Sequence, residues 1–536
     1  MDHPVRTRTE RPPSTSFGAR FFHGGLAPIV LTLACSPPVA AALPLDHFLC
    51  YTSKAPRRAP RFQGTTLRLA DAFGSADFDA KRPKRFCIPA SQNGAGIADA
   101  ATHLQSVKIK LHKGQAPTRR RTRVQVTNEL GEMLVDTVEP EFLLVPTSAC
   151  RDAPPGTCPD PVPPPDPSSH DVDHYQCYGV RVSAGAPAFV PLTVSVADEL
   201  TSPAKTLQLK RPRHLCLAVD ENGNPAKDPA RHLACYQVKP AAGEPRRMLV
   251  ADIHAASELG SGQLATKKEV ELCVPSTMIA ECNQADVLCD RRFDEVAYPT
   301  THNAMSNQAE GWLFPNQNNT VSTQLADGVR ALMLDTHYLD GQPYLCHEYC
   351  QLGSKPLVDG LAEIRAFLDR HPYEVVSIIF ESYISAADTA AAFTASGLDP
   401  YLHAQGAADP WPTLRELISS GQRLIVFTDN EGGAFSWYLD VWAFAWETPF
   451  SFATPADFTC MKNRGNMANR LFILNHFLTQ VVGSPVLSAQ VNYNPLFVDR
   501  AEQCQSESGR LPNFVTVDFY DIGDLFGVVN HLNGLD

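Results

Sequence analysis

The sequence predicts a chain in two parts: small, disulfide-stapled, mainly-β repeats, then a C-terminal α/β domain built as a TIM-like (β/α)₈ barrel. Three observations predict it. A cysteine-containing motif recurs through the first half. Apolar strand candidates alternate with amphipathic helices through the 247 residues after Cys289, the usual span of such a barrel. Polar residues stand directly after several of those strands, where this architecture places its active-site rim.

The chain opens with Arg6, Arg8, Arg11 and Arg20, then the apolar stretch Leu26 to Leu33, then Ala40-Ala41-Ala42. That order is a secretory leader over residues 1–42. Cys35 sits in Thr32-Leu33-Ala34-Cys35, a poor lipobox, so a lipid anchor is the weaker reading. Of 15 cysteines, 14 remain beyond Cys35, an even number falling in local pairs. Paired cysteines fit an oxidising compartment, so the expected location is secreted or cell-surface, extracellular or periplasmic.

Residues 43–149 and 173–281 each hold two repeats, separated by a Cys/Pro-rich linker over 150–172. Asp46-His47-Phe48-Leu49-Cys50-Tyr51 recurs as Asp173-His174-Tyr175-Gln176-Cys177-Tyr178 and Arg231-His232-Leu233-Ala234-Cys235-Tyr236. Each is followed by a second cysteine, Cys87, Cys216 or Cys273, at separations of 37, 39 and 38. A degenerate copy runs from Thr102-His103-Leu104-Gln105-Ser106 to Leu143-Leu144-Val145-Pro146, where Ser106 and Leu144 replace both cysteines together. Joint loss is what a bonded pair predicts. The expected disulfides are therefore Cys50–Cys87, Cys177–Cys216 and Cys235–Cys273, each worth about 3–4 kcal/mol if unstrained. Alternation in Val107-Lys108-Ile109-Lys110-Leu111 and Arg123-Val124-Gln125-Val126 reads as strands, so each copy is a small β unit. The proline-rich stretch Pro159 to Pro167 reads as an extended spacer dividing the copies into two pairs. The repeated histidines read as packing or capping residues rather than metal ligands.

In residues 282–536, strand candidates are Ala331 to Leu334, Val375 to Phe380, Leu424 to Phe427, Leu471 to Leu474 and Phe514 to Val517. Helix candidates are Leu357 to Leu368, Ala386 to Ala395 and Thr413 to Ser419. Asp335, Glu381, Thr428-Asp429-Asn430, Asn475-His476 and Asp518 follow the strands.

Three motifs stand in order in this part: Thr301-His302-Asn303, Gly328-Val329-Arg330-Ala331-Leu332-Met333-Leu334-Asp335, and Leu345-Cys346-His347. Together with a Cys289-Asp290-Arg291-Arg292-Phe293 lead-in and the closing Val515-Thr516-Val517-Asp518, they resemble the X-region of phosphatidylinositol-specific phospholipases C, closest to secreted members carrying only that barrel. The resemblance implies a phosphoric diester hydrolase or lyase acting on an inositol phospholipid. His302 would be general base, His347 general acid, and Asp518 the carboxylate that orients His302. It also implies a hard cation, Ca²⁺ or Mg²⁺, on Asn303, Asp335 and Glu381. Met333 stands where the family carries a further acidic ligand, which lowers the expected affinity. Arg330, His337, Glu447 and Asn475 are candidates for substrate contact, with His476 beside them. For Arg330 a brace between strand and carboxylate is the alternative. Cys346 and Cys350 are expected to bond beside His347. The aromatic group Trp437, Tyr438, Trp442, Phe444 and Trp446 could grip a ring or membrane, or pack in the core.

From Asp290 onward there are 13 Lys and Arg against 29 Asp and Glu, a net of −16, so the first 289 residues carry about +4 of the overall −12. An acidic catalytic half excludes electrostatic capture of nucleic acid or anionic membrane. The expected partner is a phospholipid surface met as substrate, with the protein a monomer and the ligand of the repeats left open. Two other readings stay open: a different lipid headgroup, glycerophosphodiester or sphingolipid, and a degenerate barrel on a protein that binds surfaces through its repeats.

Overall fold

The computed structural model describes residues 45–535 except 58, 60, 61, 246–248 and 481. The leader expected over 1–42, with Cys35, lies outside the described residues. All 14 cysteines among them are bonded: the three repeat pairs and Cys346–Cys350 as expected, with Cys150–Cys158, Cys282–Cys289 and Cys460–Cys504 besides.

Each copy supplies an opening strand, a short strand and a long closing strand. These are β1 (His47–Lys54), β2 (Thr66–Asp71) and β3 (Gly74–Gln92), then β4 (Thr102–Leu111), β5 (Val124–Asn128) and β6 (Gly131–Arg151). The third copy gives β7 (Tyr175–Val182), β8 (Leu192–Asp198) and β9 (Thr201–Ala218), extended by β10 (Asp220–Glu221). The fourth gives β11 (His232–Pro240), β12 (Val250–Ser257) and β13 (Gly260–Ile279). The expectation of separate small units is corrected here. Opening and closing strands pair antiparallel in succession, and β1 pairs both β3 and β13, so four copies close one ring. Nor does the proline-rich spacer divide them, because β6 and β7 on either side of it pair directly. The physical reason is size: one copy cannot bury a core, whereas the ring gives all four a shared interior.

The register is equivalent at the four paired positions. Cys50 pairs with Cys87, Cys177 with Cys216, Cys235 with Cys273 and Ser106 with Leu144. The ends are closed by polar contacts between copies. Tyr51 donates to Asp198 at 2.5 Å, Tyr178 to Asp71 at 2.8 Å, and Asn128 donates to the Tyr236 hydroxyl at 2.8 Å. In three of the four copies the histidine also meets a glutamate in the next copy's hairpin turn: His47 with Glu129 at 3.0 Å, His103 with Glu199 at 3.1 Å, His174 with Glu258 at 2.8 Å.

The fourth clasp is missing. Ala72 holds the turn position that would face His232, and burial, offset only in part by the charge of Asp228, pushes that imidazole down to about 4. The unfolded chain takes this proton near pH 6.5 and the folded chain only near 4, so stability is full above 6.5 and falls as pH drops through that window. The loss is up to about 3 kcal/mol. Ala72→Glu should raise the pKa of His232 and recover roughly 1 kcal/mol at pH 5, read from melts at pH 5 and 7.5. Equal gain at both pH values would show that the clasp is not its cause.

The second sheet contains β14 (Tyr298–Thr301), β15 (Ala331–Leu339), β16 (Gln342–Leu345), β17 (Lys355–Pro356), β18 (Val376–Ser382), β19 (Leu424–Thr428), β20 (Tyr438–Asp440), β21 (Ala445–Glu447), β22 (Leu471–Asn475) and β23 (Phe514–Val517). All but β16 and β17 pair in parallel, in chain order, with β23 returning to β14. The ladder has no pairing between β20 and β21, so it is a barrel order with an open seam rather than the closed barrel expected. The four residues Val441–Phe444 between them form a helical turn instead of a long crossover. The three predicted helices are present as Leu357–Arg370, Ala386–Ser396 and Leu414–Ser420, the last two opened by Ser385 and Thr413 caps.

Side chains alternate along these strands with period two. Leu332, Leu334, Ile378, Phe380, Leu424, Val426, Val515 and Val517 face the helices. Ala331, Met333, Ile379, Ile425, Phe427, Ile473 and Phe514 fill the interior. Met333, Ile379 and Ile473 end this interior stack as the floor of a cavity.

Candidate active site

The cavity has a volume of about 670 Å³ and opens at the C-terminal ends of the parallel strands. Its lining comes from residues 302–483, so the repeats take no part in it. His302, at the end of β14, gives Nδ1 to Asp518 Oδ1 at 2.9 Å and stacks on Phe477 at 4.1 Å. Asp518 is 2 % exposed and also accepts from Asn316 Nδ2 at 3.1 Å. Gln317 Nε2 donates to the His302 carbonyl at 2.8 Å. With Nδ1 engaged, Nε2 is the ring nitrogen left to take a substrate proton.

His347 lines the same cavity from the loop closed by Cys346–Cys350. Burial holds its pKa below the ordinary imidazole value, and the charge of His302 lowers it further.

Met333, Asp335 and His337 all face the cavity from β15, as the two-residue period requires. Glu381 from β18 and Asp429 after β19 complete an acidic wall. Burial, then the charges of Glu381, Asp429 and Glu348, raises Asp335 well above the usual carboxylate range. Asp429 is raised as well, first by burial. One end of the Asn303 amide lies 3.1 and 3.2 Å from the two Asp335 oxygens. With the NH₂ there it donates; with the carbonyl there, both groups present oxygen as ligands to a cation would.

His337 stacks on Tyr383 at 4.3 Å, and its Nε2 is buried without a hydrogen-bond partner. Tyr383 in turn donates to Glu381 at 2.5 Å. Glu447 and Asn475, the candidates for substrate contact, line the cavity, and Asn475 Nδ2 donates to Glu447 at 3.1 Å.

Two expectations fail. Arg330 does not reach the cavity: it is 3 % exposed, gives Nε to Glu374 at 2.6 Å and Nη1 to the Leu325 and Val329 carbonyls, and covers Phe367. Its place before β15, at the opposite end from the cavity, makes it a brace. His476 points away too, bonding the Val491 carbonyl at 2.9 Å and stacking on Phe497. It follows Asn475, which faces inward, so alternation sends it outward. Of the aromatic group only Trp442 lines the cavity; Tyr438, Phe444 and Trp446 are core.

Arg464, Asn316 and Phe477 went unread. Arg464 lines the cavity, donates to Glu447 at 2.5 Å and lies over Trp442 and Phe450. The signal was Gly465 beside it. Gly465 has φ +77°, and a Cβ there would sit 2.3 Å from the Ala445 carbonyl oxygen, so only glycine lets this loop close on β21.

The PI-PLC X family, by its description PI-PLC X 1, matches residues 288–533. PI-PLC X domain-containing protein 1 of Arthroderma benhamiae is 32% identical over 309 residues, covering 52% of this chain and 96% of that protein. A second protein of that fungus, named an uncharacterized secreted protein, is 32% identical over 292 residues, 49% of this chain and 66% of that protein. A PI-PLC X domain-containing protein of Arabidopsis thaliana is 29% identical over 269 residues, 45% of this chain and 62% of that protein. The chain thus spans under two thirds of those last two relatives. A mutant phosphatidylinositol-specific phospholipase C of Staphylococcus aureus aligns in structure with a TM-score of 0.29 and 14% identity, over 43% of this chain and 88% of that one. Matching the first fungal protein along nearly its full length, this chain belongs to the PI-PLC X domain family.

Proposed function

We propose that this protein is an extracellular phosphodiesterase of the phosphatidylinositol-specific phospholipase C type. The observation that carries the reading is the His302–Asp518 pair sharing one cavity with His347 and a carboxylate wall. His302 takes the proton of a substrate hydroxyl adjacent to the phosphodiester, and that oxygen attacks phosphorus. His347 delivers a proton to the departing glycerol oxygen, so the diacylglycerol leaves neutral and a cyclic phosphate remains. Asp518 holds His302 in the tautomer with Nε2 free and offsets its charge after proton transfer.

Charge favours a cation in this site. Asp335, Glu348, Glu381, Asp429 and Glu447 face one arginine, so an anionic phosphodiester would meet net repulsion. Asn303, Asp335 and Glu381 are hard oxygen donors that suit Ca²⁺ or Mg²⁺, and such an ion would supply positive charge to the phosphoryl oxygens. Met333 offers no such donor, so affinity is expected in the range of weak extracellular sites, about 10⁻⁴–10⁻³ M. Met333→Glu should tighten Ca²⁺ about tenfold, read from the Ca²⁺ concentration giving half-maximal turnover; an unchanged midpoint would place the ion elsewhere.

Leu313, Phe314, Tyr349, Phe450 and Val482 line the mouth and are exposed. They offer apolar contact to a lipid surface without basic charge. Among the described residues no helix is long and apolar enough to cross a membrane. The seven disulfides and the relative named as secreted support the extracellular location.

The test is release of water-soluble inositol phosphate from phosphatidylinositol vesicles, followed by phosphorus NMR with Ca²⁺ and with chelator. Release abolished in His347→Ala supports the reading, and loss in chelator supports the cation. No release from folded protein, with release from another headgroup, would move the substrate class.

A further inference from the structure

The four-fold repetition of the β ring supplies its own controls, and one sector departs from the others. Five residues beyond the second cysteine position of each copy stand Gln92, Ala149, Glu221 and Met278. Their register is equivalent: they pair with Val196, Ala255, Leu69 and Val126, each three residues before a turn position that holds Glu199, Glu258, Ala72 or Glu129. By contact, the first sector joins His47, Glu129 and Gln92, and the third joins His174, Glu258 and Glu221, in each case a copy's own histidine and own closing-strand residue with the next copy's turn residue.

In the first sector the third member is Gln92, whose amide donates to Glu129 beside His47. The second has alanine there and the fourth methionine. Only the third sector gathers an imidazole and two carboxylates. His174 Nε2 lies 2.8 Å from Glu258 Oε1 and 3.4 Å from Glu221 Oε2, and the donor atoms of all three fall within 4.8 Å of one another. Glu221 is 6 % exposed, and its Oε2 is buried without a hydrogen-bond partner. Where the first sector answers its glutamate with an amide donor, the third answers with a second acceptor.

We propose that His174, Glu221 and Glu258 form a binding site for a divalent transition-metal cation of the Zn²⁺ type, joining the third and fourth repeats. One imidazole with two carboxylates is a donor set that suits Zn²⁺, whereas Ca²⁺ prefers oxygen alone. Water from the half-exposed Glu258 side completes the shell. The competing arrangement is a proton held between the two carboxylates.

The experiment titrates Zn²⁺ into the full-length protein by calorimetry, with thermal melts in Zn²⁺ and in chelator. Glu221→Gln is the informative variant, because it recreates the glutamine that the first sector already accommodates and so should fold. Asp335→Asn, run in parallel, removes a carboxylate from the donor set of the catalytic cavity instead. The proposal expects the parent to bind about one equivalent that persists in Asp335→Asn and disappears in both Glu221→Gln and Glu258→Gln, together with the Zn²⁺-dependent rise in melting temperature. It is overturned if the parent binds no Zn²⁺, or if Glu221→Gln binds as much as the parent. A Glu221→Gln protein more stable than the parent and indifferent to Zn²⁺ would assign the site to a shared proton.

Discussion

Alanine at His347 is expected to lower turnover by about 10²–10⁴-fold while leaving the fold intact, since the side chain lines the cavity from the Cys346–Cys350 loop and is not part of the core. Asp518→Asn should cost up to about 10⁴-fold, because an amide in that place can bond the wrong tautomer of His302. The double variant should lose little more than the worse single one, as groups acting in one proton relay are not additive. The pH profile follows from the site. Burial and the nearby His302 hold His347 below its ordinary pKa, so its protonated form is lost as pH rises through that lowered value. The alkaline limb of kcat/KM is therefore expected below pH 6.5. Steady-state assays across pH 4.5–8 on the parent and both variants check this. An alkaline limb unchanged in a residually active His347→Ala would assign the acid to another group.

Glu374→Ala is expected to cost about 3–5 kcal/mol of stability, because it leaves the Arg330 guanidinium buried without its carboxylate. Arg330 Nε meets Glu374 Oε2 at 2.6 Å, and Nη1 donates to two backbone carbonyls. Removing one partner of such a pair costs far more than the pair contributes net. Urea denaturation of parent and variant measures it, with KM for vesicle substrate in folded conditions alongside. A brace predicts a lower midpoint and unchanged KM. A raised KM with unchanged midpoint would return Arg330 to the substrate.

These two outcomes separate what was readable in the chain from what was not. His302, His347 and Asp335 were legible because each carries a short motif, and Asp518 because it ends an apolar strand. Helix and strand positions followed from apolar period, and the three repeat disulfides from a spacing kept even where both cysteines are lost together. Arg330 shared a motif with Asp335 and was drawn toward the same role. Yet Arg330 stands just before β15 and Asp335 at its middle, and only the fold shows which end of the strand opens on the cavity.

By itself, the sequence determined the cysteine partners Cys50–Cys87, Cys177–Cys216, Cys235–Cys273 and Cys346–Cys350 and the histidine pair, since each is encoded in local pattern. Tertiary structure decided that four copies close a single ring, that the parallel ladder stays open between β20 and β21, and that Arg464 and Asn316 reach the cavity. Those facts depend on which distant strands pair and how loops fold back over their ends, and such contacts leave no period in the chain. The same holds for the gathering of His174, Glu221 and Glu258, which are far apart in sequence and are brought together only by ring closure.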